Sequence, residues 1–265
     1  MSYLKKAFSL KKPVLGMVHL PPLPGTPYYR GQSVSQMIDL CMQDALVLKE
    51  NGFDGLMFAN EGDRPYVTEV GPEVTATYAR IVSTVTQEMR IPFGVGVLMD
   101  PRATMALALA TGAHYFRTYL TGIFAGTFGF HAASPGELMR YRSQIGADKI
   151  PLFCNITPHA GVSVDTRPLP EIVDTALMML EPDVILIPGP RAGKAPSLSV
   201  VAEIKKAFPE QELLISSGVG ESNVREALSI ADGVLVGTAL KADGVIWNQI
   251  DPGRAARFMS IARHT

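Results

Sequence analysis

Short, nearly continuous apolar runs alternate along this chain with longer stretches in which apolar residues return every three or four positions. The first kind reads as buried strands of a parallel sheet, the second as amphipathic helices lying over it. The strand-like runs are Val14–His19, Gly55–Ala59, Phe93–Met99, Tyr115–Tyr119, Pro151–Asn155, Val184–Ile187, Leu213–Ser216 and Val234–Val236. Helices are expected to begin near Ser35, Pro72, Pro101, Ser134, Leu169, Leu198, Glu221 and Pro252. Ile38, Cys41, Ala45 and Leu48 recur at helical spacing in the first of these, and Val224, Leu228 and Ala231 do so approximately in the seventh. Asp100-Pro101, Ser134-Pro135 and Asp251-Pro252 each set a capping oxygen ahead of a proline at the first helical turn, where the missing N–H costs nothing. No low-complexity linker interrupts the series. The repeated strand–helix order predicts a single (β/α)8 TIM barrel, parallel and eight-stranded, over residues 1–265.

Composition narrows the class. Apolar residues make up 47% of the 265 and charged residues 18%, enough for a large core and too apolar for a disordered chain. The net charge of −1 removes any long-range electrostatic case for a nucleic-acid partner. Cys41 and Cys154 lie far apart with no metal-ligand spacing, which fits a reduced, cytoplasmic protein better than a disulfide. Met1 to Lys12 contains no apolar stretch of signal length, and no apolar run reaches the roughly eighteen residues that span a bilayer.

The candidate chemistry gathers at predicted strand ends, where barrel enzymes place their active sites. The seventh and eighth strands end in glycine and small hydroxyl residues: Ser216, Ser217, Gly218 and Gly220, then Gly237 and Thr238. Glycine lets backbone approach a ligand closely, and exposed N–H groups at helix starts attract anions. These residues are therefore expected to hold a phosphate, with one helix, Glu221 to Ile230, between the two loops. Glycines there are also what short strand-to-helix loops require. Arg191 and Lys194, after the sixth strand, are candidates to add charge to a bound ligand or else form a solvated loop.

Across the mouth, His19 ends the first strand, and Asn60, Glu61 and Asp63 follow the second. An imidazole and two carboxylates there could exchange protons with a substrate or bind a divalent cation. The alternatives are a histidine bonded to the Pro-rich loop and an Asp63 that caps or pairs with Arg64. Asp100 reads best as a helix cap. Arg117 falls in the fourth strand and, by alternation from Phe116, points inward, either to substrate or to a carboxylate such as Glu61 or Asp100. Cys154, Asn155 and His159 close the fifth strand; Asn155 is a substrate-binding candidate, and a thiol nucleophile at Cys154 has no supporting context. No lysine falls inside a predicted strand, which disfavours a Schiff-base aldolase. A metal site would need two or three of His19, Glu61, Asp63 and His159 to converge. Two irregular stretches, Pro21 to Gly31 and Thr121 to His131, supply mouth loops. Their aromatics, with Tyr66, could stack a nucleobase, and Thr121 to Phe130 is a candidate contact for a homo-oligomer.

Four segments together resemble one family. They are Met17 through Pro27 (Met-Val-His-Leu-Pro-Pro-Leu-Pro-Gly-Thr-Pro), Asn60 through Tyr66, Met139 through Arg142, and the rear run from Ser217 to Gly244 with its Val-Gly-Thr-Ala-Leu-Lys. They resemble the BtpA/SgcQ family, and the likeness covers nearly the whole chain. The resemblance implies a ribulose-phosphate-binding-type barrel. One branch of the family is tied to photosystem I accumulation and another to sugar-uptake gene neighbourhoods, and no agreed reaction comes with it. The chain departs from the family at Met99-Asp100-Pro101, at Cys154 through His159 and at Pro188 through Lys194, so the phosphate end is kept and the opposite side altered. His159 survives at a position where the family also shows histidine, which makes it the catalytic candidate of its segment. The expectation is an enzyme that moves protons on a small sugar phosphate, of isomerase, epimerase or lyase type. A non-catalytic assembly or regulatory barrel is the first alternative, and a nucleoside- or base-handling enzyme the second.

Overall fold

The computed structural model describes residues 3–9, 12–158 and 161–263. Barrel strands β1 (Val14–His19), β2 (Gly55–Ala59), β3 (Phe93–Gly96) and β4 (Tyr115–Thr118) are followed by a side excursion, β5 (Ile123–Gly126) and β6 (Gly129–Ala132). The barrel resumes with β7 (Leu152–Asn155), breaks again for β8 (Gly161–Ser163), and completes with β9 (Val184–Ile187), β10 (Glu212–Ile215) and β11 (Val234–Val236). All eight barrel strands are parallel and close in the order β1-β11-β10-β9-β7-β4-β3-β2. Helices α1 (Tyr3–Phe8), α2 (Val34–Glu50), α3 (Pro72–Met89), α4 (Pro101–Thr111), α5 (Pro135–Gln144), α6 (Leu169–Leu180), α7 (Leu198–Ala207), α8 (Val224–Ile230) and α9 (Pro252–Arg263) complete the fold. The expected parallel eight-stranded barrel is what the chain forms.

The two apolar surfaces of each strand explain why these runs read as continuous. One side faces the helix layer, where Val14, Val18, Leu56, Phe58 and Phe116 pack with helix residues such as Leu48, Tyr78 and Val82. The other fills the barrel with Leu15, Met17, Met57, Tyr115, Phe153, Val184, Leu186, Leu214 and Leu235. The barrel is thus a packed core, not a pore. Helix α1 seals its lower end: Leu4 and Phe8 join the interior cluster, and the Leu4 N–H donates to the Glu212 carboxylate at 3.1 Å. The lysine-bearing N-terminal segment gave no sign of this plug.

Several local details differ from the expected ones. β3 stops at Gly96 because side chains take over its donors: Val97 N–H donates to Thr104 Oγ1 at 2.9 Å and Leu98 N–H to Asn60 Oδ1 at 2.7 Å. Met99 then turns left-handed at φ 67°. Asp100 and Asp251 cap as expected, accepting from Ala103 N–H at 2.9 Å and Arg254 N–H at 2.7 Å. The Ser134 side chain makes no cap bond. α8 begins at Val224, not Glu221, because Asn223 folds the preceding residues into a turn. Its Oδ1 accepts from Gly220 N–H at 2.8 Å and its Nδ2 donates to the Gly218 carbonyl at 3.1 Å.

The stretch from Thr121 to His131, read as irregular, is largely a hairpin. β5 and β6 pair antiparallel, β8 adds on the other side of β5, and this small sheet stands outside the barrel. Phe124 and His131 are buried on one face, their rings stacked at 6.1 Å, while Ile123, Phe130, Val162 and Val164 stay exposed.

Candidate functional site

Alternation along the strands builds the site. Above the apolar filling of Met17, Tyr115, Phe153 and Leu214, the next inward positions are His19, Arg117, Asn155 and Ser216, and Gly237 stands above Leu235. The interior therefore changes from apolar to polar at one level, and the cavity at the mouth opens there. It measures about 310 Å³, and its polar lining includes His19, Glu61, Arg117, Tyr119, Ser216 and Ser217. The backbones of Gly193, Gly218, Gly220, Gly237 and Thr238 form another part of the wall, and Gly244 and Ile246 close it from the loop after β11.

The glycine end has a reason for each special residue. Gly218 adopts φ +68°, and a Cβ there would lie 1.8 Å from the Ala195 nitrogen. The loop after β9 thus rests directly on the loop after β10. Ser217 links them, its Oγ accepting from Gly189 N–H at 2.5 Å and donating to the Lys194 carbonyl at 3.3 Å. Gly237 meets His19: a Cβ there would stand 3.0 Å from both Cε1 and Nε2 of the ring. The one-turn helix Thr238–Leu240 begins at the cavity, and its first N–H groups have no preceding helical carbonyl. The Gly220 N–H is occupied by Asn223 and is not free for a ligand.

At the other side, burial governs the electrostatics. Burial lowers the His19 imidazole to about 3; the charges of Lys241 and Arg117 add to this, and the backbone of Ile246 opposes it. Its Nδ1 is buried without a hydrogen-bond partner. His19 is therefore neutral near pH 7 and acts as a hydrogen-bonding imidazole. Glu61 lies in a one-turn helix, Glu61–Asp63, directly after β2. Burial raises its carboxyl to about 6 against the opposing charges of Arg117 and Lys241, so this group, not His19, titrates near neutrality. Arg117 Nε donates to Asn155 Oδ1 at 2.9 Å. Asn155 Nδ2 and Ser216 Oγ are buried with no partner.

Other expected site residues go elsewhere. Asp63 does not line the cavity: its Oδ1 accepts from Leu23 N–H at 2.8 Å and its Oδ2 from Asn60 Nδ2 at 3.0 Å. Asn60 in turn binds Leu98 N–H, so this pair fastens the Pro-rich loop and the end of β3. Asn155 does not line the cavity either: its Oδ1 accepts from Arg117 Nε, and the two share a separate small hollow. Arg191 and Lys194 are exposed; the wall there is made by Ala192 and Gly193 instead. His159 lies outside the described residues. Among the described residues, no three His, Cys, Asp or Glu side chains come together as a metal cluster. Cys154 is buried and free, and burial raises its thiol to about 12, far from a reactive thiolate.

The aromatic loops are engaged internally. Arg64 stacks on Trp247 at 3.7 Å and on Tyr28 at 4.4 Å, tying together the loops after β2, β11 and β1. Tyr66 packs on Phe128 at 5.1 Å, and Tyr29 donates its hydroxyl to the Gln32 carbonyl.

Two features escaped the sequence. Tyr119 lines the cavity two positions beyond Arg117, which the same alternation could have shown. Lys241 and Asp44 form a buried ion pair at 2.6 Å, with side chains 1% and 2% exposed, and Asp44 Oδ1 also accepts from Ile250 N–H at 2.7 Å. No spacing rule could pair residues so far apart. The pair anchors both ends of the loop that carries Gly244 and Ile246.

The family model of the BtpA family matches residues 10–264. The sgc region protein SgcQ of Escherichia coli is 38% identical over 265 residues, covering 100% of this chain and 99% of that protein. The photosystem I biogenesis protein BtpA of Synechocystis is 31% identical over 259 residues, covering 97% and 90%. Among solved structures, N-(5'-phosphoribosyl)anthranilate isomerase from Pyrococcus furiosus superposes with a TM-score of 0.60 at 10% identity, covering 96% of this chain and 100% of that one. That last likeness is one of fold.

Proposed function

We propose, from the fact that this chain belongs to the BtpA family and from the geometry of its barrel mouth, that it is an enzyme acting on a small phosphorylated metabolite, a sugar phosphate. The observation that carries this reading is a single cavity faced by Glu61, His19 and the glycine-rich backbone after β10 and β11. The phosphate would sit on the backbone of Gly218 and Val219 and at the start of the Thr238–Leu240 turn, which line the cavity and whose first N–H groups have no helical acceptor. Ser216 and Ser217 stand beside it. A structural neighbour named for a phosphoribosyl substrate fits this use of the fold.

Glu61 is the proton-transfer group in this scheme. Held near pH 6, it takes a proton from carbon or oxygen as carboxylate and returns it as acid, the duty of an isomerase, epimerase or lyase. Neutral His19 polarises the carbonyl or hydroxyl being transformed. Lys241, which follows β11, is locked on Asp44, which favours proton transfer over Schiff-base chemistry. The reaction is built on side chains; a divalent cation, where required, would be recruited with the phosphate. Two free buried cysteines fit a reducing, cytoplasmic setting, and no described helix is long and apolar enough to cross a membrane.

A second reading, a non-catalytic assembly barrel, draws on the name of the Synechocystis relative and on the exposed apolar face of the β6-β5-β8 sheet. We assign that face to a second copy of this chain. Phe130, Ala125 and Val162 form one cross-strand row, with Ile123 and Ala132 paired two positions along and Val164 beside them. None of these residues is charged. Two such faces would bury roughly 800 Å² of apolar surface, close to the apolar share of a standard interface.

The functional reading is tested by thermal shift against phosphorylated sugars, with and without magnesium. Stabilisation by at least one, lost in Gly218→Ala but kept in a surface variant, is expected. Stabilisation that survives intact in Gly218→Ala would remove the phosphate assignment.

A further inference from the structure

Arg117 poses a question that a phosphate grip leaves unanswered. It stands inside the barrel mouth, yet its side-chain partners are neutral: the Asn155 amide, whose Oδ1 accepts from Nε at 2.9 Å, and the Tyr119 hydroxyl. Among the described residues, no carboxylate comes within ion-pair distance of its guanidinium, although Glu61 faces the same cavity. Glu61 acts on this half-buried cation only through space, so Arg117 lacks a hydrogen-bonded counter-ion, a place that an anionic group of a ligand would fill.

The surroundings match that ligand. Because Arg117 Nε takes Asn155 Oδ1, the Asn155 amide presents its Nδ2 donor, which is buried and unpartnered. Asn155 as a whole is fully buried. Ser216, the inward residue just beyond β10, also has a buried unpartnered hydroxyl. Arg117 and Ser216 face the cavity, while Asn155 shares a separate small hollow with Arg117 and orients its guanidinium; a planar guanidinium edge with a hydroxyl on the same cavity suits a planar, doubly accepting anion, which is a carboxylate. A tetrahedral phosphate is better served by the backbone on the glycine side.

We propose that the ligand carries two anionic ends, a phosphate and a carboxylate, and that Arg117, held in place by Asn155, forms the carboxylate subsite. The substrate class is then a phosphorylated sugar acid or related phosphorylated carboxylate. This rests on the phosphate reading above and adds a second anchor at the reacting end. The carboxylate bound there sets which carbon stands against Glu61, so Arg117 determines specificity while the glycine loops determine affinity for any phosphate.

The test measures binding by calorimetry with phosphoglycolate, glycerol phosphate, glycolate and fructose bisphosphate. Wild-type protein is expected to bind phosphoglycolate at least tenfold more tightly than glycerol phosphate. Arg117→Met should bring the two together, with the larger loss on phosphoglycolate. Arg117→Lys keeps the charge without the fork and should lose at least threefold of the preference; it serves as the deciding variant if the methionine protein does not fold by circular dichroism. Equal binding of phosphoglycolate and glycerol phosphate by the wild type overturns the carboxylate subsite alone. So does a preference that persists in both variants, or an Arg117-dependent preference for fructose bisphosphate. Glycolate binding with no response to any phosphate overturns the phosphate reading instead.

Discussion

Replacing Asp44 by alanine removes one half of the most deeply buried ion pair in the described structure. Lys241 Nζ lies 2.6 Å from Asp44 Oδ2, and the two side chains are 1% and 2% exposed. Without the carboxylate, an ammonium remains in the interior with no counter-ion, and the Ile250 N–H, which donated to Oδ1 at 2.7 Å, loses its acceptor. Breaking such a pair costs roughly 3–5 kcal/mol, and an orphaned donor roughly 1–3 kcal/mol. The two losses share one site and do not simply add, so about 4 kcal/mol is expected. For a chain of this size that corresponds to a fall in Tm on the order of 8–16 °C. Lys241→Met should cost a similar amount by stranding the carboxylate. The double variant Asp44→Leu with Lys241→Met should recover much of the loss, because an apolar pair of similar volume removes both charges together. Denaturant unfolding of wild type, Asp44→Leu, Lys241→Met and the double variant closes the cycle and gives the coupling directly. A cost below about 1 kcal/mol for Asp44→Ala, or a double variant no better than the singles, would refute the buried-pair argument. Ligand affinity should fall with Asp44→Ala as well, since the pair anchors the loop that brings Gly244 and Ile246 to the cavity.

Glu61 offers a pH test with a definite sign. Its carboxyl is raised from the ordinary 4.5 to about 6, so the folded state holds this proton more tightly than the unfolded one. Stability should therefore decline as pH rises from about 4.5 to 6, by up to roughly 2 kcal/mol, less whatever solvent screening removes. Glu61→Gln should remove that decline, giving a higher Tm than wild type above pH 6 and little difference below 4.5. If Glu61 is the base, turnover should rise with pH through about 6 and drop on the order of a hundredfold or more in Glu61→Gln. A stable Glu61→Gln protein with undiminished turnover would end its assignment as the proton-transfer group. For assembly, Phe130→Asp should shift the sedimentation coefficient from that of an oligomer to that of a monomer without lowering secondary structure; an unchanged oligomer would place the contact elsewhere.

Much of this was present in local patterns. The alternation of apolar runs and helical periods determined the parallel barrel, because each strand must bury both faces. The same period of two carried Arg117 inward, and the glycines after β10 and β11 marked backbone that must approach something closely. The strand-end rule brought His19, Glu61, Arg117 and Ser216 to one cavity. Proximity in sequence did not determine partnership. Asp63 sits two residues from Glu61, yet its oxygens are taken by Leu23 and Asn60, while Glu61 faces the cavity. Arg191 and Lys194 follow β9 but leave their loop's backbone, not their charge, at the wall. The pairing of Asp44 with Lys241, the shift of Glu61 toward neutrality and, among the described residues, the lack of an ion pair at Arg117 are tertiary facts. Each depends on which distant groups share a low-dielectric space, and only closure of the barrel creates that space.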